Sequence, residues 1–334
     1  MTTDEHACSA GLSAPAPAAT ASGRVVAAGS RLVGLRIEAA VAGSAAAVLG
    51  TVAWGFTSIF IPLVTLPGLT TLFYRLWPGA GVLLVVARCS SRRWLTLAEL
   101  RAFLPAGVLL GADMALFFSA VKLTTIAAAT VIGALQPALV LLVAGRWFGE
   151  RVRGRDIACT LVAIGGVGVV ALGGGLPGGD ALSGDAMAAG SLLCFTGYWL
   201  ASKRALSGDQ PSDQYTAGVM CIAALVATPV ALISGERFGP VTRADAFWLA
   251  LMTLIPGAGH LLFNWAHHHV DVSVSSVISA ANPVVAAVLA AVVLDQRLHA
   301  VQWAGCAVGV VAIAAVAARK QGGAEIGSAE PAGP

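Results

Sequence analysis

The sequence predicts an all-α integral membrane protein of ten transmembrane helices, arranged as two inverted five-helix repeats. Three observations carry that prediction. Of 334 residues, 57% are hydrophobic and only 11% charged, with a mean hydropathy of +0.82. Soluble domains carry about 25% charged residues, so lipid is the natural solvent for the excess apolar surface. The apolar residues fall in ten runs, each near the ~20 residues that cross hydrocarbon. The two halves of the chain also match one another at a constant offset.

Taken in order, residues 1–42 begin Met-Thr-Thr-Asp-Glu and continue through Ala, Ser, Gly and Pro. They lack the basic start and apolar core of a secretory signal, and are expected as a disordered cytoplasmic tail. The first repeat, 43–173, holds apolar runs at 43–63, 69–87, 104–122, 124–147 and 156–173. The second, 174–318, holds runs at 185–202, 213–233, 249–268, 272–294 and 300–318. Apolar residues occur all round these segments, unlike the single stripe of a soluble amphipathic helix. Residues 319–334 are expected as a second disordered cytoplasmic tail.

Charge sets the orientation. With the N-terminus in the cytoplasm, the cytoplasmic segments hold Arg24, Arg31, Arg36, Arg88, Arg92, Arg93, Arg101, Arg146, Arg151, Arg153, Arg155, Lys203, Arg204, Arg319 and Lys320. The other side holds Lys122, Arg237, Arg243 and Arg297, and Arg75 lies within a span. The positive-inside rule therefore places both termini in the cytoplasm of a multi-pass cell-membrane protein.

At an offset of 146 residues, Gly111 meets Gly257, Leu116-Phe117 meets Leu262-Phe263, Ala120 meets Ala266 and Val131-Ile132 meets Val277-Ile278. Ala134 likewise meets Ala280, Pro137 meets Pro283 and Arg151 meets Arg297. Gln136-Pro137 and Asn282-Pro283 are the same device twice, a polar amide before a mid-span proline. Five spans per repeat is an odd number, so the repeats enter the membrane from opposite sides, an architecture of secondary transporters.

These features resemble the drug/metabolite transporter superfamily, specifically its EamA-type ten-helix members. The resemblance rests on Trp54-Gly55, Arg75, the run from Ala127 to Gln136-Pro137, and Gly149-Glu150-Arg151-Val152, which is similar to the family's G-E-R-L turn. The Gly-rich fifth span, Asn282-Pro283 and Asp295-Gln296-Arg297-Leu298 complete it, with Gln296 where the family has Glu and Asp295 where it has Gly. The resemblance covers residues 43–318 and implies export of amino acids, related metabolites or toxic compounds, often driven by ion gradients.

The candidate binding residues are the polar groups a membrane interior does not tolerate idly. A charge at the bilayer centre costs about 2.5–3.5 kcal/mol on insertion scales. Asp113, nine residues past Leu104, lies about 14 Å into a core of about 30 Å. It is read as a protonatable group exchanging a proton for a cationic substrate, or as a structural partner of Arg75 or of a neighbouring helix. Arg75, with Tyr74 beside it, is read as an anion contact or a snorkelling side chain. His260 and Asn264 share one face of the eighth helix with His267 and His268. His267, His268 and His269 are expected at the cytoplasmic interface, and neighbours about 100° apart on a helix do not converge on a metal. Pro137 and Pro283 free the carbonyls of Gly133 and Ser279. With Gln136 and Asn282 these are expected either to line a cavity or to mark kinks satisfied by Thr130 or Ser276. Trp54 and Tyr198 are candidate aromatic walls. Gly305 and Gly309 in the tenth span, matched by Cys159 and Ala163 in the fifth, allow close helix packing within the protomer or a homodimer seam.

The function classes narrow accordingly. The chain has no P-loop, H-E-x-x-H or G-x-S-x-G motif, so neither ATP-driven pumping nor intramembrane hydrolysis is expected. Its six cysteines form no C-x-x-C pair. No cofactor and no nucleic acid are expected. The expected function is secondary active export of a small metabolite, an amino acid or related compound, coupled to protons. The alternatives are efflux of drugs or toxic cations by the same fold, and a non-transporting membrane enzyme or partner protein.

Overall fold

The computed structural model of the chain describes residues 21–123, 132–149 and 181–293, with residue 129 and scattered residues between 154 and 165 and between 300 and 311. Regular structure among the described residues is helical throughout. Helix α1 covers Ala21–Phe60 and ends in a 3₁₀ turn at Ile61–Leu63. Helix α2 covers Gly68–Ser91 and α3 covers Leu97–Leu123, with Arg92 between them in the left-handed region at φ 57°. Helix α4, Gln136–Phe148, stops at Gly149, whose φ of 66° suits a residue without Cβ. In the second half, α5 covers Ala181–Ala205, α6 Ser212–Ile233, α7 Arg243–Ala266, α8 Val272–Ser279 and α9 Asn282–Val293.

Among the described residues, six stretches are long and apolar enough to cross a membrane: Glu38–Leu63, Gly68–Ser91, Leu97–Ala120, Ser212–Ile233, Arg243–Ala266 and Val272–Val293. Apart from scattered residues, the fifth and tenth expected spans lie outside the described residues, as do the turns at 150–152 and 295–298, Thr130, and the small residues Cys159, Ala163, Gly305 and Gly309. Three expectations are corrected. Helix α1 begins at Ala21, inside the stretch expected as a tail, as no proline interrupts the chain between Pro17 and Pro62. The fourth and ninth spans are broken rather than kinked, the fourth at the turn Ala134–Leu135 and the ninth at Ala280–Ala281. In both, helix restarts one residue before the proline, which sits near the helix start where its missing N–H is no loss.

The core lies between the halves. Helix α1 packs chiefly on α7, α3 on α5 and α6, and α2 on α6; α8 meets α1 and α4. Glycines permit the approach. A Cβ at Gly50 would come within 2.7 Å of Phe263, at Gly107 within 2.5 Å of Ile222, at Gly218 within 2.6 Å of Phe103 and at Gly259 within 2.6 Å of Trp54. Each of these contacts crosses from one half to the other, the small-residue packing that membrane helices favour.

Candidate functional site

Two opposite charges face the seam from neighbouring helices of the first half. Arg75 on α2 is only 8% exposed, its apolar neighbours Leu72 and Leu76 packed into the core. Its guanidinium donates no hydrogen bond to a described residue, and no carboxylate oxygen of one lies within 4.0 Å. Asp113 on α3 is half-buried and accepts a 2.5 Å hydrogen bond from Ser191 Oγ on α5. The Arg75 and Asp113 charges act on each other electrostatically without touching. His260 on α7 feels the Arg75 charge, and Tyr198 on α5 feels that of Asp113. Four helices thus surround one polar neighbourhood.

Aromatic rings close one side of it. Trp54 stacks on Phe263 at 4.4 Å between centroids and lies 4.8 Å from His260 and 5.9 Å from Trp199. His260 is buried, and its Nδ1 has no hydrogen-bond partner among the described residues. Beside it, Tyr198 donates its hydroxyl to Asn264 Oδ1 at 3.3 Å, and Asn264 Nδ2 donates to Thr216 Oγ1 at 2.9 Å. That chain of amide and hydroxyl groups ties α5, α6 and α7 together.

The broken helices supply a second polar layer. Gln136, at the start of α4, accepts a 3.0 Å hydrogen bond from Ser279 Oγ at the end of α8, while its Nε2 is buried without a partner. Asn282, at the start of α9, reaches the Thr51 carbonyl at 3.5 Å, and Thr51 Oγ1 donates to the Ile278 carbonyl at 3.3 Å. Interrupted backbone at membrane depth persists where protein rather than lipid surrounds it, and α8 is buried along its whole length. Ser276 donates to the Ser273 carbonyl instead of meeting the carbonyl freed by Pro283.

The structure therefore gathers Arg75, Asp113, His260, Tyr198, Asn264 and Trp54, and sets Gln136 and Asn282 at the two helix breaks. Tyr74 is directed elsewhere: its ring meets Phe73 at 5.5 Å and Phe238 at 6.2 Å, because its place on α2 points it away from Arg75. Trp54 and Tyr198 are core as much as wall, Trp54 being pressed on Gly259 and Tyr198 only 1% exposed. His267, expected in a solvated interface, is buried beside Trp199 at 5.0 Å with both ring nitrogens unpartnered, while His268 is exposed. No group of three His, Cys, Asp or Glu placed to hold a metal occurs among the described residues. Ser191, Thr216 and Thr51 were not singled out by sequence, and Ser279 only for its carbonyl; each is a small hydroxyl in an apolar run, whose partner on another helix is decided by the folded packing.

Twenty-nine solved chains match this one. One, described only as the crystal structure of a protein, superposes with a TM-score of 0.70 at 21% identity, covering 83% of this chain and 98% of its own. At that identity the likeness speaks to the fold alone. No curated protein matches the chain. The family model that matches is that of the EamA-like transporter family, twice, over residues 41–172 and 182–318.

Proposed function

This chain belongs to the EamA-like transporter family, and from that premise we propose that it is a secondary active exporter of a small zwitterionic metabolite, an amino acid or related compound, coupled to a proton gradient. A multi-pass membrane protein of a transporter family needs a site that both repeats can enclose. The observation that carries the reading is the separation of Arg75 and Asp113. A buried and a half-buried opposite charge within electrostatic reach gain from pairing in a low-dielectric interior, yet these stay apart. A zwitterion between them would lay its carboxylate on Arg75 and its ammonium on Asp113. Protonation of Asp113 would release the ammonium, so proton and substrate alternate on one carboxylate.

Ten crossings, two inverted repeats and cytoplasmic termini complete the proposal. Its support is the pairing of helices across the seam. If α1 corresponds to α5 and α3 to α7, then the α1–α7 and α3–α5 contacts are mates, and α2–α6 maps onto itself. A twofold axis in the membrane plane has that consequence.

Asp113→Asn tests the coupling group. In proteoliposomes this variant, a neutral mimic of the protonated carboxyl, is expected to lose both transport driven by a pH gradient and exchange of labelled for unlabelled substrate. Undiminished pH-driven transport by the variant would rule out Asp113 as the coupling group. The second reading, efflux of toxic cations, draws on Asp113 and the rings around Trp54 but leaves Arg75 without a task. Retained transport of the same substrate by Arg75→Gln favours that reading.

A further inference from the structure

Both repeats open their third helix with the same capping box, 146 residues apart: Thr96 with Glu99 at α3, and Thr242 with Asp245 at α7. In each, the threonine hydroxyl accepts the backbone N–H of the acid, and the carboxylate accepts the backbone N–H of the threonine. The difference lies in what else the carboxylate holds. Glu99 turns to Arg93 of its own repeat, at 2.6 and 2.9 Å, and hydrogen bonding to Glu99 holds the Arg93 guanidinium above its ordinary range. Asp245 instead reaches across the seam. It is 0% exposed and accepts the backbone N–H of Thr65 at 2.8 Å and the Thr65 hydroxyl at 3.0 and 3.1 Å.

A second carboxylate does the same nearby. Glu236 Oε2 accepts the Thr70 N–H at 2.9 Å and the Thr70 hydroxyl at 3.3 Å. Thr70 is the third residue of α2, so this N–H is one of the donors a helix start leaves without an intrahelical partner. The α1–α2 connection of the first repeat therefore hangs from two acids of the second.

Among the described residues, the matching positions at the opposite end do not repeat this arrangement. Both α2 and α6 start after a proline, Pro67 and Pro211. Two residues before Pro67 stands Thr65, but two before Pro211 stands Asp209. Asp209 would offer Glu99 a second negative charge in place of a donor. Three residues after Pro67 stands Thr70, and three after Pro211 stands Gln214, which donates to the Ala87 carbonyl at 3.1 Å and to Ser91 Oγ. At the positions that match between the repeats, the carboxylate contacts across the seam thus occur at one end among the described residues.

We propose that Asp245–Thr65 and Glu236–Thr70 form the gate at the end bearing the α1–α2 and α6–α7 connections, and that the structure is the state closed there. Charge-assisted hydrogen bonds to backbone N–H groups are strong while buried. At the end of a bundle, water can replace both partners when the halves part, so the same contacts open without leaving an orphaned charge. The inference rests on the alternating-access reading, and its test reads access apart from flux.

The reporter is Cys194, which lies near enough to Asp113 to feel its charge, kept as the sole cysteine. A membrane-impermeant thiosulfonate is applied to each face of oriented vesicles. Glu236→Gln combined with Thr65→Val weakens both contacts and leaves the Thr242–Asp245 box intact. This double variant is expected to speed labelling from the α1–α2 face by about tenfold or more. Thr65→Ser, which keeps both donors, is expected to label at the parental rate. An unchanged rate in the double variant, in protein with the parental melting temperature, overturns the proposal. Independently, cysteines at positions 65 and 242, whose native hydroxyls both lie within 3.0 Å of Asp245 Oδ2, should halt transport when oxidised and restore it on reduction. Full transport by the oxidised form also overturns the gate. If the chain is not a transporter, flux is absent from every variant, yet the labelling rates still report whether the two acids control access.

Discussion

Arg75 is the residue on which the chemistry turns. A guanidinium presents five N–H donors, and none of these meets a described acceptor. A hydrogen bond to a charged group is worth about 1.5–3 kcal/mol, so Arg75→Gln should weaken substrate binding about 10- to 100-fold, measured by equilibrium binding to the purified protein. Arg75→Lys, which keeps the charge but loses the planar fork, should fall between the two. A variant binding as tightly as the parent would make Arg75 structural. Asp113 and Arg75 were legible in the sequence, since an isolated charge in an apolar run stands out. Ser191 was not: it lies 78 residues from Asp113, and only the folded seam makes them neighbours. His267 misled for a related reason. A run of three histidines at a helix end reads as solvated, but α5 brings Trp199 over the first of them.

Among elements, α7 carries the sharpest contrast. Gly257 and Gly259 sit two residues apart on it, and only Gly259 faces the seam. A methyl group at Gly259 would meet Trp54 at 2.6 Å, while one at Gly257 meets nothing within 4 Å. Overpacking of a tight contact costs about 1–3 kcal/mol. Gly259→Ala should therefore lower the melting temperature in detergent, and Gly257→Ala should leave it unchanged or raise it slightly through helix propensity. Equal effects would mean that the seam is loose at this level. Offset matching marked Gly257 and passed over Gly259, because repetition along a chain does not say which face of a helix is covered. Helix extents were read a few residues short where a polar cap belongs to the helix. Thr242 and Asp245 place the start of α7 at Arg243, ahead of the apolar run at 249. Gln136 and Asn282 were read as polar walls of a cavity and Pro137 and Pro283 as kinks, yet at the prolines both spans are interrupted by a turn, where neighbouring side chains such as Thr51 and Ser279 meet backbone and amide groups.

For the molecule as a whole, membrane class, paired repeats and family were legible because they depend on composition and order along the chain. How the repeats embrace was not, since no local pattern encodes that α1 packs on α7 or α3 on α5. Orientation is open to direct measurement: reporters fused after Ile233 and after Pro334 should face opposite sides of the membrane, the second in the cytoplasm. Two reporters on the same face would end the ten-crossing account. The interlocked seam also bears on biosynthesis. When α1, α2 and α3 have left the ribosome, the residues that will cover Gly50 and Gly107 are still 110 or more positions away in the nascent chain. The first repeat then has to wait in lipid, held as separate helices, until its counterpart arrives. Synthesis cut between residues 173 and 181 should accordingly yield two polypeptides that are degraded when made singly and persist when made together.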